Sequence, residues 1–477
     1  MIGFLIAQGA IILGTYVYHR WIEEHPPGPR PRDISLPVVD EGTPIPLIYG
    51  RCRVRAPVLA WAGNFTVPDP PTTTIYKLEM LFVIGVPFFG GYAALGTDFS
   101  GSGAGGLYYG DVVVGALHTG TLGGTAIYSG ALGGAITDVN IVGVFYSGTP
   151  TQDVNDGTPA PGSGDSARSS MIFAGVSPTL IPGFRSMVAF WGQFHIGQTP
   201  NIASIGFDVS SLSTGTASDL GQSLAEEADP AAVIYDLLTS PWGKLSLPTS
   251  KIDIPSFQAA SLTLFNEVHG YSRVIEQSED ASEIIADVLR QIDGVLYEEP
   301  TTGKLVLKLI RADYNVNDLD DINPDNAESP GPGWYSVQGW SETFNQVRVT
   351  WTNRVINYAD GLAIGQNMAN AVGQGGKLRS TDMRFIGCCT SELAQKLASR
   401  ELAVASRPMV KATVTVNRNF YETRPGAVVT LTWPELGVSK MVMRVARVDL
   451  GQLHDGRITL DMIRDIFDTG LAAFPSA

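Results

Sequence analysis

The chain has 477 residues, which predicts two to four domains at roughly 100–200 residues per domain. Because 44% of the residues are hydrophobic and only 17% are charged, there is enough apolar surface for several cores, which excludes wholesale disorder. The 32 basic and 47 acidic residues give a formal net charge of −15. A protein that grips nucleic acid needs a basic face, so this balance argues against tight binding of DNA or RNA.

The N-terminal residues 2–18 carry no charge and precede a proline-rich linker at 26–32. Their number is at the lower limit for crossing a bilayer. Ala10 and Gly14 stand four residues apart, so a helix would place them on one small-residue face that packs closely on a symmetry mate. A buried or interface helix, a membrane segment and a flexible tail all remain open as interpretations.

Strand patterns dominate the next part of the chain. In residues 44–65, apolar runs broken by turn formers and an alternation of Arg51, Arg53 and Arg55 predict a hairpin with one polar face. A glycine-rich block at 86–138 is too apolar for a solvated linker and too glycine-rich for a helix, which predicts a β-rich insertion packed on a neighbour. Further strands are predicted at 76–85, 139–147, 169–175, 184–195 and 203–209.

Helices are predicted after residue 225, where the composition changes. Asp229 followed by Pro230 is typical of a helix start, and Pro255 and Ser278 introduce two more helices. The third of these helices is expected to end with Gly294 as its C-cap. A hairpin turning at 301–303 follows, and then an acidic loop at 313–330.

The last part of the chain alternates apolar and polar residues with the period of a β-strand. One helix beginning near Ser391 interrupts the strands, and turn formers between the strands suggest a small barrel. The sequence therefore predicts a β-dominated α+β architecture. The predicted divisions are an apolar helix and linker, a first β-rich domain containing the 86–138 insertion, an α/β insert and a second, barrel-like β domain, at residues 1–32, 33–225, 226–312 and 313–477.

No residue is assigned a catalytic or cofactor-binding role. Residues 101–106, GSGAGG, match the dinucleotide-binding pattern GxGxxG, but a strand pattern follows them where the phosphate-binding helix should begin. Glu298 and Glu299 are neighbours in a predicted strand and therefore lie on opposite faces, which makes them a poor acid/base pair. The sequence thus predicts a protein that is not an enzyme.

No metal ligand is assigned either. Asp153, Asn155 and Asp156 resemble part of a calcium loop, as does the group at residues 313–317. The second group lacks the glycine and the bidentate glutamate of an EF-hand, so ordinary Asx turns are favoured for both. The six histidines are scattered along the chain.

Several stretches resemble the tail hub proteins of long-tailed bacteriophages, a group that includes tail tip attachment (host specificity) proteins and the large tail protein of gene transfer agents. PIPLIYGR at residues 44–51 is the most specific of these stretches. The resemblance continues in order through YSGTPTQ at 146–152, DPAAVIYDLLTSPWG at 229–243, TGKLVLKLIRADY at 302–314 and the segment 424–451. The glycine-rich block 86–138 does not match the family.

The resemblance implies a homotrimeric hub at the distal end of the tail of a virion. Hubs of this kind carry two β-barrel-like tube domains per chain, so that three chains present a pseudo-sixfold ring to a hexameric tail tube. The implied partners are tail tube ring proteins, the tape measure protein and tail fibre or tip proteins, with DNA passing through during genome ejection and without specific binding. Residues 2–18 would then face the channel or meet the host membrane. A virion-associated hydrolase acting on the host envelope is the alternative, and a membrane-anchored β protein is a third hypothesis.

Overall fold

The computed structural model describes most of the chain between Thr43 and Thr469. The described residues are 43–66, 77–88, 92–95, 107–109, 112–122, 125–132, 140–148, 174–176, 183–195, 205–212, 224, 226–241, 245–329, 331–452, 454 and 456–469. The predicted N-terminal helix at 2–18, the linker at 26–32, the GSGAGG glycines and the Asp153 loop lie outside these residues. The chain divides into two compact units, the first containing residues 54–85 and 95–208 and the second containing 46–53, 86–94 and 209–477.

Ten strands are described before residue 213. They are β1 Leu47–Val54, β2 Val58–Thr66, β3 Lys77–Gly85, β4 Tyr92–Leu95, β5 Leu107–Tyr109, β6 Val112–Leu122, β7 Thr125–Leu132, β8 Asn140–Ser147, β9 Val188–His195 and β10 Ile205–Leu212. In the first unit, β2, β3, β9, β8, β7, β6 and β5 follow one another as antiparallel neighbours. The glycine-rich block thus supplies strands. A small buried core in this unit consists of Leu81, Ala189 and Trp191.

The sequence predictions for this region have different outcomes. The hairpin at 44–65 is wrong, because β1 pairs with a later strand at residues 273–275 whereas β2 pairs with β3. The predicted strand at 169–175 lies mostly outside the described residues, and its last two residues form a turn. The strand predicted at 76–85 is present as β3.

Five helices are described, all in the second unit. They are α1 Pro230–Thr239, α2 Ile254–Asn266, α3 Ala281–Ile292, α4 Met368–Gly373 and α5 Ser391–Ala405. The predicted start of α1 is confirmed, since the carboxylate of Asp229 accepts a hydrogen bond from the backbone N–H of Ala231 at 2.9 Å. The predicted C-cap of α3 is wrong by one residue: Asp293 takes the left-handed conformation, and Gly294 already begins a strand. Among the helices described, none is long and apolar enough to cross a membrane.

Strands of the second unit form one large sheet and several small ones. They are β11 Arg273–Ile275, β12 Gly294–Glu299, β13 Lys304–Leu309, β14 Asp321–Ile322, β15 Ala327–Glu328, β16 Tyr335–Val337, β17 Gln346–Asn353, β18 Ala359–Gln366, β19 Ser380–Phe385, β20 Val410–Asn417, β21 Val428–Trp433, β22 Val438–Asp449 and β23 Arg457–Arg464. The seven-stranded sheet has the order β14, β21, β22, β23, β20, β15, with β16 also pairing with β20. Its buried side chains, such as Val414, Leu431 and Leu460, follow the predicted period of two.

Helices α1, α2 and α3 pack with the predicted hairpin β12–β13 around a core of buried aliphatic and aromatic residues, among them Val233, Phe257 and Val288. Two arginines hold the C-terminal end of α3. Arg400 of α5 donates to the carbonyls of Arg290 and Gln291 at 3.0 and 2.7 Å, and Arg311 donates to the carbonyl of Ile292 at 3.1 Å. Cations at this position satisfy carbonyls that lack partners within the helix.

The β-dominated α+β class predicted from the sequence is confirmed. The division into domains at 33–225, 226–312 and 313–477, the two barrel-like domains and the trimer all stay predictions.

Candidate assembly surface

The YGR triplet at the end of the PIPLIYGR motif lies at a buried junction within the second unit. The hydroxyl of Tyr49 donates to Asp236 of α1 at 2.8 Å, and Tyr49 itself is buried. Gly50 has a φ of +67°, and a Cβ built on it would lie 2.6 Å from the carbonyl oxygen of Tyr271. Glycine is required here both for the left-handed backbone and for the close approach.

Arg51 completes this junction with a set of buried charges. Its guanidinium is 3% exposed and pairs with Glu226, so the prediction that it lies on a polar face is wrong. Arg354 also donates to Glu226, at 2.9 Å, and reaches Glu227 at 3.5 Å and the Ser272 hydroxyl at 3.2 Å. Burial raises the pKa of Glu227, while Arg354 opposes that rise. The YGR triplet therefore has a structural role. It connects β1 with α1 through Asp236, and with the loop after β17 through Glu226 and Arg354.

A three-stranded sheet in the order β18, β17, β19 has one covered and one open face. Val347, Val349 and Phe385 are buried on the face that packs against α5. On the opposite face, Leu362 and Ile364 of β18 are 58% and 44% exposed. This face also carries exposed ion pairs between Arg348 and Asp382 and between Arg384 and Asp360. The alternation of strand side chains thus leaves large apolar groups in solvent.

Side-chain hydrogen bonds hold the segment that follows β18, although its surface is apolar. The buried side chain of Asn345 donates to the side chain of Gln374 at 2.9 Å and to the carbonyl of Lys377 at 2.8 Å. Asn370 of α4 donates to the carbonyl of Ser406 at 2.9 Å. Met368 and Val372, one helical turn apart on α4, are nevertheless 62% and 73% exposed.

Most of the exposed large hydrophobic side chains among the described residues lie between Val337 and Ile386. They are Val337, Trp340, Phe344, Val355, Ile356, Leu362, Ile364, Met368, Val372, Leu378 and Ile386. We call them the 337–386 surface. Within it, residues 361–376 contain no charged residue at all. Contiguous exposed apolar patches mark protein–protein contact sites. Within this surface, Leu362 and Ile364 on β18 and Met368 and Val372 on α4 are adjacent pairs on one face of their element. The uncharged run is the sequence feature that coincides with these pairs.

A groove borders this surface beside Trp340. Its cavity has a volume of about 380 Å³ and is lined mainly by apolar residues, namely Val337, Trp340, Ala403, Val404, Pro408, Met409, Val410 and Ile466, together with Arg407, Arg464 and Asp465. A second cavity of about 440 Å³ lies between Trp340 and the residues around α4. Both volumes lie within the range of pockets that bind small molecules or the side chains of a partner.

The adjacent carboxylates Glu298 and Glu299 do not form an acid/base pair. Glu299 is bound by Arg424 through hydrogen bonds of 2.7, 2.9 and 3.1 Å, whereas Glu298 is exposed. Hydrogen bonds from Arg424, followed by those from Thr301, lower the pKa of Glu299 to about 2. A carboxylate held as an anion in this way serves structure rather than proton transfer.

The Glu299–Arg424 pair predicts an acid-dependent loss of stability. The folded-state pKa of about 2 is below the ordinary value near 4.5, so the pair stabilises the fold above pH 4.5 and this stabilisation is lost as the pH falls toward 2. We expect Glu299→Gln to lower the unfolding free energy at pH 7 by about 0.5–1 kcal/mol. At pH 2.5 the two proteins should differ less in urea-unfolding midpoint, and an equal difference at both pH values would contradict this role.

The other candidate ligands are accounted for locally where they are described. Asn315 accepts a hydrogen bond from the backbone N–H of Asn317 at 3.3 Å, which is the Asx turn expected there. His269 is buried, and burial lowers its pKa well below the ordinary value. Within the part of the chain that the structure describes, no group of three or more His, Cys, Asp or Glu residues could hold a metal ion.

The described residues form a β-rich fold with large apolar side chains left in solvent, and comparison with known proteins shows what the chain is similar to. Residues 280–448 match the family described as putative phage tail proteins. A chain from the virion of a native gene transfer agent (GTA) particle has the same fold, with a TM-score of 0.60, 14% sequence identity and coverage of 97% of this chain and 96% of that chain. The resemblance to phage tail proteins is therefore confirmed: residues 280–448 match the family model, and the chain shares its fold with a chain of the gene transfer agent particle.

Two other solved structures align with most of the chain at lower similarity. The tail protein from Neisseria meningitidis MC58 has a TM-score of 0.32 and 12% identity over 90% of this chain and 97% of that chain. The 43 kDa tail protein of prophage MuSo2 from Shewanella oneidensis has a TM-score of 0.30 and 13% identity over 90% of this chain and 99% of that chain. Scores this low do not establish a shared fold. No curated protein sequence matches the chain.

Proposed function

We propose that the chain is a homotrimeric hub at the distal end of a phage or gene transfer agent tail. In this role it joins the tail tube to the tip or fibre proteins, contacts the tape measure protein and forms part of the channel through which DNA leaves. It catalyses no reaction. The observation that carries the proposal is the 337–386 surface, which exposes apolar side chains within the segment 280–448 that matches the putative phage tail protein family.

The negative net charge of the chain supports the proposal that it lines a channel for DNA. A formal net charge of −15 repels phosphate on average, so DNA would pass an acidic wall without binding to it. The low charged fraction of 17% also agrees with large subunit interfaces, because obligate interfaces resemble domain cores more than ordinary surfaces.

The oligomeric state is the first test of the proposal. We expect light scattering coupled to size-exclusion chromatography to give the purified chain a molar mass three times its 50.9 kDa monomer mass. Burial of the 337–386 surface between copies is the physical reason for association. Cryo-electron microscopy of the particle's distal end should then show the chain on the tail axis with threefold symmetry. A monomer both in solution and in the particle would refute the hub.

A further inference from the structure

We propose that Asp229 is a proton-sensitive cap at the buried contact between α1 and α2. With a proton on its carboxyl group, the cap is neutral and the contact is stable, whereas loss of that proton leaves a charge inside the contact. The inference goes beyond the proposed hub and does not depend on it, because it concerns residues of a single chain.

The two carboxyl oxygens of Asp229 have different surroundings. Oδ1 caps α1 by accepting a hydrogen bond from the backbone N–H of Ala231 at 2.9 Å. Oδ2 is buried and forms no hydrogen bond of normal geometry within the described residues, and Asp229 as a whole is 3% exposed. A carboxylate that is removed from water in this way costs free energy unless a cation compensates it, so the site favours the neutral carboxyl group.

No cation among the described residues supplies that compensation. Helix α2 carries no charged residue between 254 and 266, and the buried residues of α3 are all uncharged. Arg354 pairs with Glu226 and Glu227 instead. The titratable groups on the surrounding elements are Glu227 in the same segment, Asp236 of α1, Tyr49 of β1, His269 after α2 and Tyr271 before β11.

Ser261 of α2 faces the carboxyl group from the other side of the contact and is 1% exposed. Burial raises the pKa of Asp229 from its ordinary value of 3.8 to about 6, while the Ser261 hydroxyl and the backbone N–H groups of Ala231 and Ala232 oppose that rise. The buried contact thus brings the cap close to neutral pH, and Ser261 adjusts the pH at which the proton is lost.

The fold therefore gains stability in mild acid. Because the folded-state pKa of about 6 is above the unfolded value of 3.8, the stabilisation is complete below pH 3.8 and is lost as the pH rises through 6. At pH 5 this group alone should make the folding equilibrium constant about tenfold larger than at pH 7.5.

Asp229→Asn tests the cap, since asparagine keeps a capping oxygen but cannot ionise. In urea unfolding of the full chain, followed by far-UV circular dichroism at equal chain concentrations, the wild type should gain about tenfold in folding equilibrium constant relative to the variant between pH 7.5 and pH 5. Asp253→Asn is the matched control. Asp253 caps α2 by accepting from the backbone N–H of Ser256 at 3.3 Å but is only half-buried, so this variant should keep the pH dependence of the wild type.

Infrared difference spectra recorded along a pH titration measure the proton on the folded chain. The wild type should show the C=O band of a protonated carboxyl group that disappears with a midpoint near pH 6 and is absent from Asp229→Asn. The carboxyl groups of Glu227 and Asp293, whose pKa values burial also raises, are present in both proteins and cancel in the comparison. Ser261→Ala should raise the midpoint, because the hydroxyl that stabilises the anion is removed. Asp229→Ser, which caps without ionising, replaces the asparagine variant if that variant does not fold.

A titrating band that is lost in Asp229→Asn, together with the tenfold difference in stability, supports the cap. Equal pH dependence of the wild type and Asp229→Asn, or a band that persists in the variant, would overturn it. An unchanged or lower midpoint in Ser261→Ala would overturn the role of Ser261. A chain that does not form trimers would refute the hub and leave the cap intact.

Discussion

Replacement of Arg444 by methionine is expected to lower the unfolding free energy by about 3–5 kcal/mol, which should exceed the effect of any other single substitution proposed for this chain. The guanidinium donates to Asp465 at 3.0 Å, and both residues are 3% exposed. It also donates to the carbonyls of Gly426 and Arg311, each at 3.0 Å. Removal of the cation leaves a buried carboxylate and two carbonyls without that donor, and each of these groups is costly to desolvate. Urea unfolding followed by tryptophan fluorescence measures the loss.

Arg348→Met is the matched control for this substitution. Arg348 pairs with Asp382 at 2.7 Å, but their side chains are 41% and 68% exposed. Arg348→Met should therefore lower the unfolding free energy by less than about 1 kcal/mol. The double variant Arg444→Met with Asp465→Asn should recover part of the stability, since it removes the unpaired charge. Equal effects of Arg444→Met and Arg348→Met would show that the buried pair does not stabilise the fold as the geometry indicates.

Gly50→Ala is expected to have the second largest effect and to lower the unfolding free energy by about 2–4 kcal/mol. Two costs add at this position. Alanine is strained at a φ of +67°, and its Cβ would come within 2.6 Å of the Tyr271 carbonyl oxygen, so the backbone must shift. The shift would disturb Arg51 and its pairing with Glu226, and we therefore expect a lower midpoint of urea unfolding.

Gly437→Ala separates the two costs. Gly437 has almost the same φ, +66°, but a Cβ built there meets no atom within 4 Å. Only the backbone strain remains, so Gly437→Ala should lower the unfolding free energy by about 1–2 kcal/mol. If both alanine variants lose the same stability, close packing at Gly50 contributes nothing and the motif is explained by backbone conformation alone.

Most of the helices and strands can be predicted from the sequence, because local chemistry decides them. Asp229 followed by Pro230 starts α1 in any context that permits a helix, and the alternation in 410–416 and 458–462 appears directly as β20 and β23. The sequence patterns do not predict β18, β19 and the short helix α4. These segments combine glycine, small residues and scattered large apolar groups, which have no single period.

The environment of Arg51 is harder to predict than the strand that carries it. The alternation of three arginines resembles a solvated strand and so predicts a polar face for Arg51. Its partner Glu226, which also binds Arg354, is far away in the sequence, and no local sequence pattern predicts this contact. The uncharged run 361–376 is equally visible in the sequence, yet an uncharged run is compatible with a core as well as with an exposed surface.

By itself, the sequence determined the β-dominated class, the starts of α1 and α5 and the resemblance to phage tail proteins, since these follow from residue type, spacing and order along the chain. Only the tertiary structure decided that β1 and β2 pair with different strands, that Arg51 is buried, and that Met368 and Val372 reach solvent. Strand partners and exposure depend on contacts between residues that are far apart along the chain. The free energy of forming such contacts comes from burial and charge pairing in the complete fold, and these cannot be read from the residues of a single segment.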